Sequence, residues 1–148
     1  MNEMPADVAT AIIATAGALV LAAATYWFTK KGERDAELRK EKLEHYKEFT
    51  LSLSGIISEE STPEGQKAFS IACNKLNLVA PQSVLQALQA FQVEIKISNP
   101  NKSLEKHDEL MSRLFYEMRK DLGIVPEDEE ANFKIGLWSS GVKPEKRR

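Results

Sequence analysis

The segment Val8–Phe28, VATAIIATAGALVLAAATYWF, contains no Asp, Glu, Lys, Arg or His. As an α-helix rising 1.5 Å per residue it is about 31 Å long, which matches a hydrocarbon core of roughly 30 Å. In lipid every backbone N–H and C=O needs a partner inside the segment, so helix is the only sensible form for it. Everything that follows is charged and soluble in character. The low mean hydropathy of the 148-residue chain, −0.35, therefore averages an apolar anchor with a polar remainder.

Ala22-Ala23-Ala24 offers the small-residue pattern of a signal-peptide cleavage site. A signal peptide opens on a basic region, however, and the residues ahead of this run, Met1 to Asp7, carry Glu3 and Asp7 with no cation. The run also ends in Tyr26-Trp27-Phe28, an aromatic cluster suited to the headgroup level. Lys30, Lys31 and Arg34 lie just past the span and none lies before it, so the positive-inside rule places the N-terminus outside and the rest in the cytoplasm. The span holds eight alanines, and Ala14, Ala18 and Ala22 recur every fourth residue. Small-xxx-small spacing lets two membrane helices approach closely, and alanine is also simply permissive in anchors. Both readings stand.

Residues 33–42, ERDAELRKEK, form a charged stalk with Asp35/Arg39 and Lys40/Glu44 at i,i+4. No proline stands between Val8 and Thr62, so the membrane helix is free to continue through it, with Gly32 as a candidate hinge. From Leu43 the pattern turns amphipathic: Leu43, Tyr46, Phe49, Leu53, Ile56 and Ile57 fall at three- and four-residue steps, ending near Ser58. Thr62-Pro63-Glu64 reads as the start of a second stripe, Phe69, Ala72, Cys73 and Leu76. Pro81 opens a third, with Val84, Leu85, Leu88, Phe91 and Ile95. Ser98-Asn99-Pro100-Asn101 is turn chemistry, and Ser103 caps a fourth helix predicted to bury Leu104, Met111, Leu114, Phe115, Met118 and Leu122. Gly123 and Ile124 suit its left-handed C-terminal turn.

The fold expected is all-α: one N-terminal transmembrane helix, then a cytosolic antiparallel four-helix bundle and an irregular C-terminal tail. The expected divisions are residues 1–7 outside the membrane, 8–28 in it, a stalk over 29–42, the bundle over 43–125 and the tail over 126–148. In that tail Phe133, Ile135 and Leu137 alternate and Trp138 follows. This apolar cluster either folds back on the bundle or serves as a partner-binding segment.

Chemistry is sparse. The single cysteine, Cys73, excludes an intrachain disulfide and lies on an apolar face without a neighbouring base. His107-Asp108-Glu109 sits in the first turns of a helix, where acids are favoured by the dipole. His45 and His107 lack the Glu-x-x-His repeats of di-iron bundles, and no phosphate loop, nucleophile elbow or zinc motif occurs. Catalytic, metal and cofactor residues are therefore expected to be none, and a net charge of −2 gives no nucleic-acid footprint. Asn74 and Asn77 flank an apolar face and are either interhelix hydrogen-bonders or exposed.

Lys42-Leu43-Glu44-His45-Tyr46, Leu78-Val79-Ala80-Pro81 and Arg119-Lys120-Asp121-Leu122-Gly123, in that order behind one span, resemble a group of small uncharacterised bacterial single-pass membrane proteins. The resemblance covers about residues 35–125. It implies a bacterial inner-membrane setting and carries no activity or site residues.

The function expected is thus a non-enzymatic interaction module tethered to the membrane and facing the cytoplasm. Tyr26, Trp27, Lys30, Lys31 and Arg34 would form the membrane interface, Ala14, Ala18 and Ala22 would be candidates for self-association, and Phe133, Ile135, Leu137 and Trp138 candidates for partner binding. Its partners would be the bilayer, an unidentified protein and a second copy, with no nucleic acid or small-molecule substrate. The alternative is an oligomeric membrane effector that perturbs the bilayer under control of its cytosolic bundle.

Overall fold

Residues 33–44 are mostly Glu, Lys, Arg, Leu and Ala, all good helix formers, and no proline stands between Ala6 and Thr62. In the computed structural model the result is one unbroken helix, α1 (Ala6–Leu53). The described residues are 5–56, 61–125 and 127–137, so Ile57, Ser58 and Trp138 lie outside them. The stalk and the first amphipathic stripe are therefore parts of the same helix that holds the apolar segment, and Gly32 lies within it. A 3-10 turn (Ser54–Ile56) ends it, and α2 (Pro63–Val79), α3 (Gln82–Ile95) and α4 (Leu104–Asp121) follow. The described residues include no strand.

The chain divides into two compact units, Met1–Lys40 and Glu41–Arg148. In the first, the apolar part of α1 is long and apolar enough to cross a membrane, and none of its hydrophobic window is buried. Within it Lys30 pairs with Glu33 at 2.7 Å.

In the second unit a core is assembled from one stripe of each helix. The last turns of α1 supply Tyr46, Phe49 and Leu53, and α2 supplies Phe69, Ala72, Cys73 and Leu76. From α3 come Val84, Ala87, Leu88 and Phe91, and from α4 Met111, Leu114 and Met118. The α1 and α2 contacts run in opposite senses: Gly55 meets Gly65, Phe49 meets Phe69 at 5.7 Å between ring centroids, and Glu48 takes Lys75 at 2.8 Å. α3 packs most extensively on α4, also in opposite senses, with Phe91 against His107 at 5.3 Å. At the far end of α4, Asp121 receives the Lys42 ammonium at 2.9 Å and the Tyr46 hydroxyl at 2.7 Å, tying it to α1.

Local capping explains the helix ends. The Thr62 hydroxyl accepts the Gly65 N–H at 3.0 Å, with Pro63 at the first helical position, and the Ser103 hydroxyl accepts the Lys106 N–H at 3.1 Å. Gly123 takes φ +63°, its N–H reaches the Lys120 carbonyl at 3.0 Å, and Ile124 N–H reaches Arg119 at 3.2 Å. That pair of bonds is a Schellman turn, and the left-handed residue in it favours glycine.

Leu104 departs from expectation. It is 84% exposed, because as the first residue of α4 it lies in a turn that precedes the buried stripe. Phe115 and Leu122 are only partly buried, Leu43 is exposed, and Asn74 and Asn77 face outward. The Gly55–Gly65 approach had no local signature, since both glycines sit near turns for which local chemistry alone is a sufficient reason. A Cβ on Gly65 would lie 2.6 Å from the Gly55 Cα. Gly65→Ala is expected to destabilise the protein by about 1–3 kcal/mol through overpacking, and Phe91→Ala by about 3–5 kcal/mol through cavity formation, both read from denaturant midpoints.

Candidate functional site

The groups with reactive side chains are engaged structurally. Cys73 is buried, and burial pushes its thiol pKa up, against a smaller opposing hydrogen bond from Gln92. A thiol held protonated is a poor nucleophile. His107 packs against Phe91 with its ring tilted, and its Nδ1 lies 3.0 Å from Asp108 Oδ1. His45 Nδ1 is buried without a hydrogen-bond partner, 3.7 Å from a Glu48 carboxylate that Lys75 already occupies. Tyr46 is held firmly in its neutral form, first by burial and then by its bond to the Asp121 carboxylate. Among the described residues no three His, Cys, Asp or Glu side chains converge as a metal site.

The most organised polar feature is the α3–α4 connection, built around Glu94. This side chain comes from the last turn of α3 and is 3% exposed. Its Oε1 accepts the Ser103 N–H at 2.9 Å, and its Oε2 takes Asn99 Nδ2 at 3.4 Å and the Lys106 ammonium at 3.5 Å. Asn99 also donates to the Glu94 carbonyl at 3.0 Å and accepts the Asn101 N–H at 3.0 Å. A charged acceptor beside the N-cap of α4 is favoured by the helix dipole as well as by these donors. The Ser103 N–H, followed by Lys106 and Asn99, lowers the Glu94 carboxyl below its ordinary range, outweighing the opposing effect of burial.

This pinned loop carries apolar side chains outward. Ile97 is 93% exposed, and Val93 near the end of α3 and Leu104 at the start of α4 are also exposed. Residues 96–106 include three lysines, Lys96, Lys102 and Lys106, against one carboxylate, Glu105. Sequence reasoning recognised the turn and the Ser103 cap. It missed Glu94 because a glutamate near a helix end reads as a solvated residue.

A second feature is the described tail, residues 127–137, which returns along α4. Asp128 holds Arg119 through two hydrogen bonds, at 2.6 and 3.1 Å, and Glu130 pairs with Arg113, which also holds the buried Glu117 at 2.8 Å. Phe133 packs against the Tyr116 ring at 5.8 Å beneath the Arg119 guanidinium at 5.7 Å. The Ile135 N–H donates to the Ser112 hydroxyl at 3.1 Å, and its side chain packs on the core. Of the tail residues expected to bind a partner, Phe133 and Ile135 thus lie against α4, Leu137 is exposed, and Trp138 is outside the described residues.

The residues expected to meet the membrane or a second copy are exposed in the first unit. Tyr26, Trp27 and Phe28 are exposed, Trp27 and Phe28 meet edge to face at 5.2 Å, and Lys31 Nζ lies 5.5 Å from the Trp27 ring centre. Lys30 bonds Glu33, and Arg34 is exposed, as are Ala14, Ala18 and Ala22. Thr15 turns its hydroxyl back to the Ala11 carbonyl at 2.8 Å, which satisfies it within the helix.

Comparison with protein-family models, with curated proteins and with solved structures finds no match for this chain.

Because the folded Glu94 carboxyl is depressed, its contribution to stability is complete above the ordinary carboxylate pKa of about 4.3. That contribution is lost as the pH falls through the lower folded value. Glu94→Gln should lower stability near pH 6, since an amide places N–H groups against Asn99 and Lys106. It should also flatten the loss of stability on going from about pH 6 to about pH 3.5, measured by urea midpoints at both pH values.

Proposed function

We propose that this protein is a membrane-anchored, non-enzymatic helical interaction module facing the cytoplasm, and that it binds a protein partner through the α3–α4 connection. In this reading Val8–Phe28 spans the inner membrane with its N-terminus outside, Tyr26, Trp27, Lys30, Lys31 and Arg34 meet the lipid headgroups, and the four amphipathic stripes close as an antiparallel bundle. The charge asymmetry about the span supports the orientation. The exposure of its apolar side chains supports the membrane assignment, because in water that surface has nothing to bury it.

The observation that carries the interaction reading is the loop held by Glu94. Exposed Ile97 and Leu104 are costly to leave in water, yet they sit on a backbone pinned by a buried carboxylate and a capped helix start. Rigid presentation of apolar side chains reduces the ordering cost of binding. Apolar anchors with Lys96 and Lys102 at their edge fit a protein surface that offers an apolar depression rimmed by acids. α4 has 18 residues, so the loop lies about 26 Å along that helix from Asp121, where Lys42 and Tyr46 attach.

Two measurements test this reading. A reporter active only in the periplasm, fused after Arg148, should be silent while the protein stays in the membrane after carbonate extraction. A photo-crosslinking residue replacing Ile97 should give a discrete adduct in cells, one that Leu104→Asp removes without lowering the melting temperature. The same probe at the exposed Gln86 of α3 should give none. Equal adducts at both positions would remove the loop from the proposal.

A further inference from the structure

We propose that the α4 face beneath residues 127–137 is a second recognition site, one that takes an acidic segment with an aromatic anchor and is closed in the resting protein by the chain's own tail. This face is separate from the α3–α4 connection, and the inference does not depend on it. The strap follows a pattern: Asp128, Glu130, Phe133 and Ile135 each have a receiving group on α4, namely Arg119, Arg113, Tyr116 and Ser112. Asp128, Phe133 and Ile135 meet Arg119, Tyr116 and Ser112 in an order that runs back along α4, while Glu130 reaches ahead of Phe133 to Arg113.

The receiving face has a definite chemistry. Arg113 and Lys120 stand 5.9 and 5.8 Å from the Tyr116 ring centre, and Arg119 lies over the strap's phenyl ring. With the strap lifted, Arg119 would lose its carboxylate and a basic cluster around one aromatic ring would face solvent. Such a surface selects carboxylates flanking an aromatic side chain.

The attachment is suited to release. Arg113 and Glu130 are each about half exposed, 49% and 51%, and ion pairs in water contribute little and weaken with salt. The backbone contact from strap to α4 is the single Ile135–Ser112 hydrogen bond among the described residues. Recognition is carried by side chains, so a segment of the same pattern from another protein can make the same contacts. The strap succeeds in the resting state because it is joined to α4 through a few residues, which keeps its effective concentration high.

The experiment uses the full chain in detergent micelles and a fluorescein-labelled peptide of residues 127–137, EDEEANFKIGL, read by anisotropy with binding to empty micelles subtracted. Two variants open the strap independently: Asp128→Asn with Glu130→Gln, and Phe133→Ala with Ile135→Ala. Each should bind the peptide about tenfold more tightly than the wild type, whose site is mostly occupied. Adding Arg113→Ala and Arg119→Ala to an opened variant should abolish that gain, and raising the salt should weaken binding. Equal affinity for wild type and both opened variants would overturn the proposal. So would absence of binding to an opened variant that keeps the wild-type melting temperature, or binding that survives loss of both arginines.

Discussion

The architecture of the second unit turns on one buried carboxylate. Glu94 leaves water where three donors meet it: a backbone N–H at the start of α4, an amide from the loop and an ammonium in the first turn of α4. An ionised group so buried is tolerated only when its lone pairs are filled, and here filling them sets where α4 begins relative to the end of α3. The phase of α4 then brings Met111, Leu114 and Met118 to the core, leaves Leu104 outside it, and directs Arg113, Tyr116 and Arg119 to the strap.

The opposite end is closed by a different device. Asp121 collects the Tyr46 hydroxyl and the Lys42 ammonium, so the last residue of α4 is joined to α1 by two charge-assisted bonds. Between the two ends the core is ordinary, made of Phe, Leu, Val and Met stripes. Gly55 and Gly65 let the 3-10 turn after α1 and the start of α2 meet backbone to backbone. Apolar packing thus supplies most of the cohesion, while polar contacts at the rim choose among the ways four helices could otherwise be arranged.

These constraints bear on function because they leave certain surfaces rigid and uncommitted. The α3–α4 loop is anchored from beneath and apolar on top. The α4 face under the tail is basic and aromatic, and its cover is held by a half-exposed Arg113–Glu130 pair and a less exposed, doubly hydrogen-bonded Arg119–Asp128 pair. The chemistry-bearing residues do the reverse: Cys73, His107 and Tyr46 are taken up by packing and by neighbouring side chains.

What local chemistry determined is considerable. The uncharged run, the absence of proline and the three- to four-residue apolar spacing are enough to predict helices, because backbone hydrogen bonding and side-chain phase act over a few residues. Thr62-Pro63, Ser103 and Gly123-Ile124 likewise marked their caps, since capping bonds close within one turn. The tertiary structure decided what depends on distant partners. It set Gly55 against Gly65 across a turn. It buried Glu94, which reads as a surface acid until Ser103 and Lys106 are brought to it, and it laid Phe133 on Tyr116. Burial and ion pairing are properties of what a residue meets in space, and spacing along the chain does not encode them.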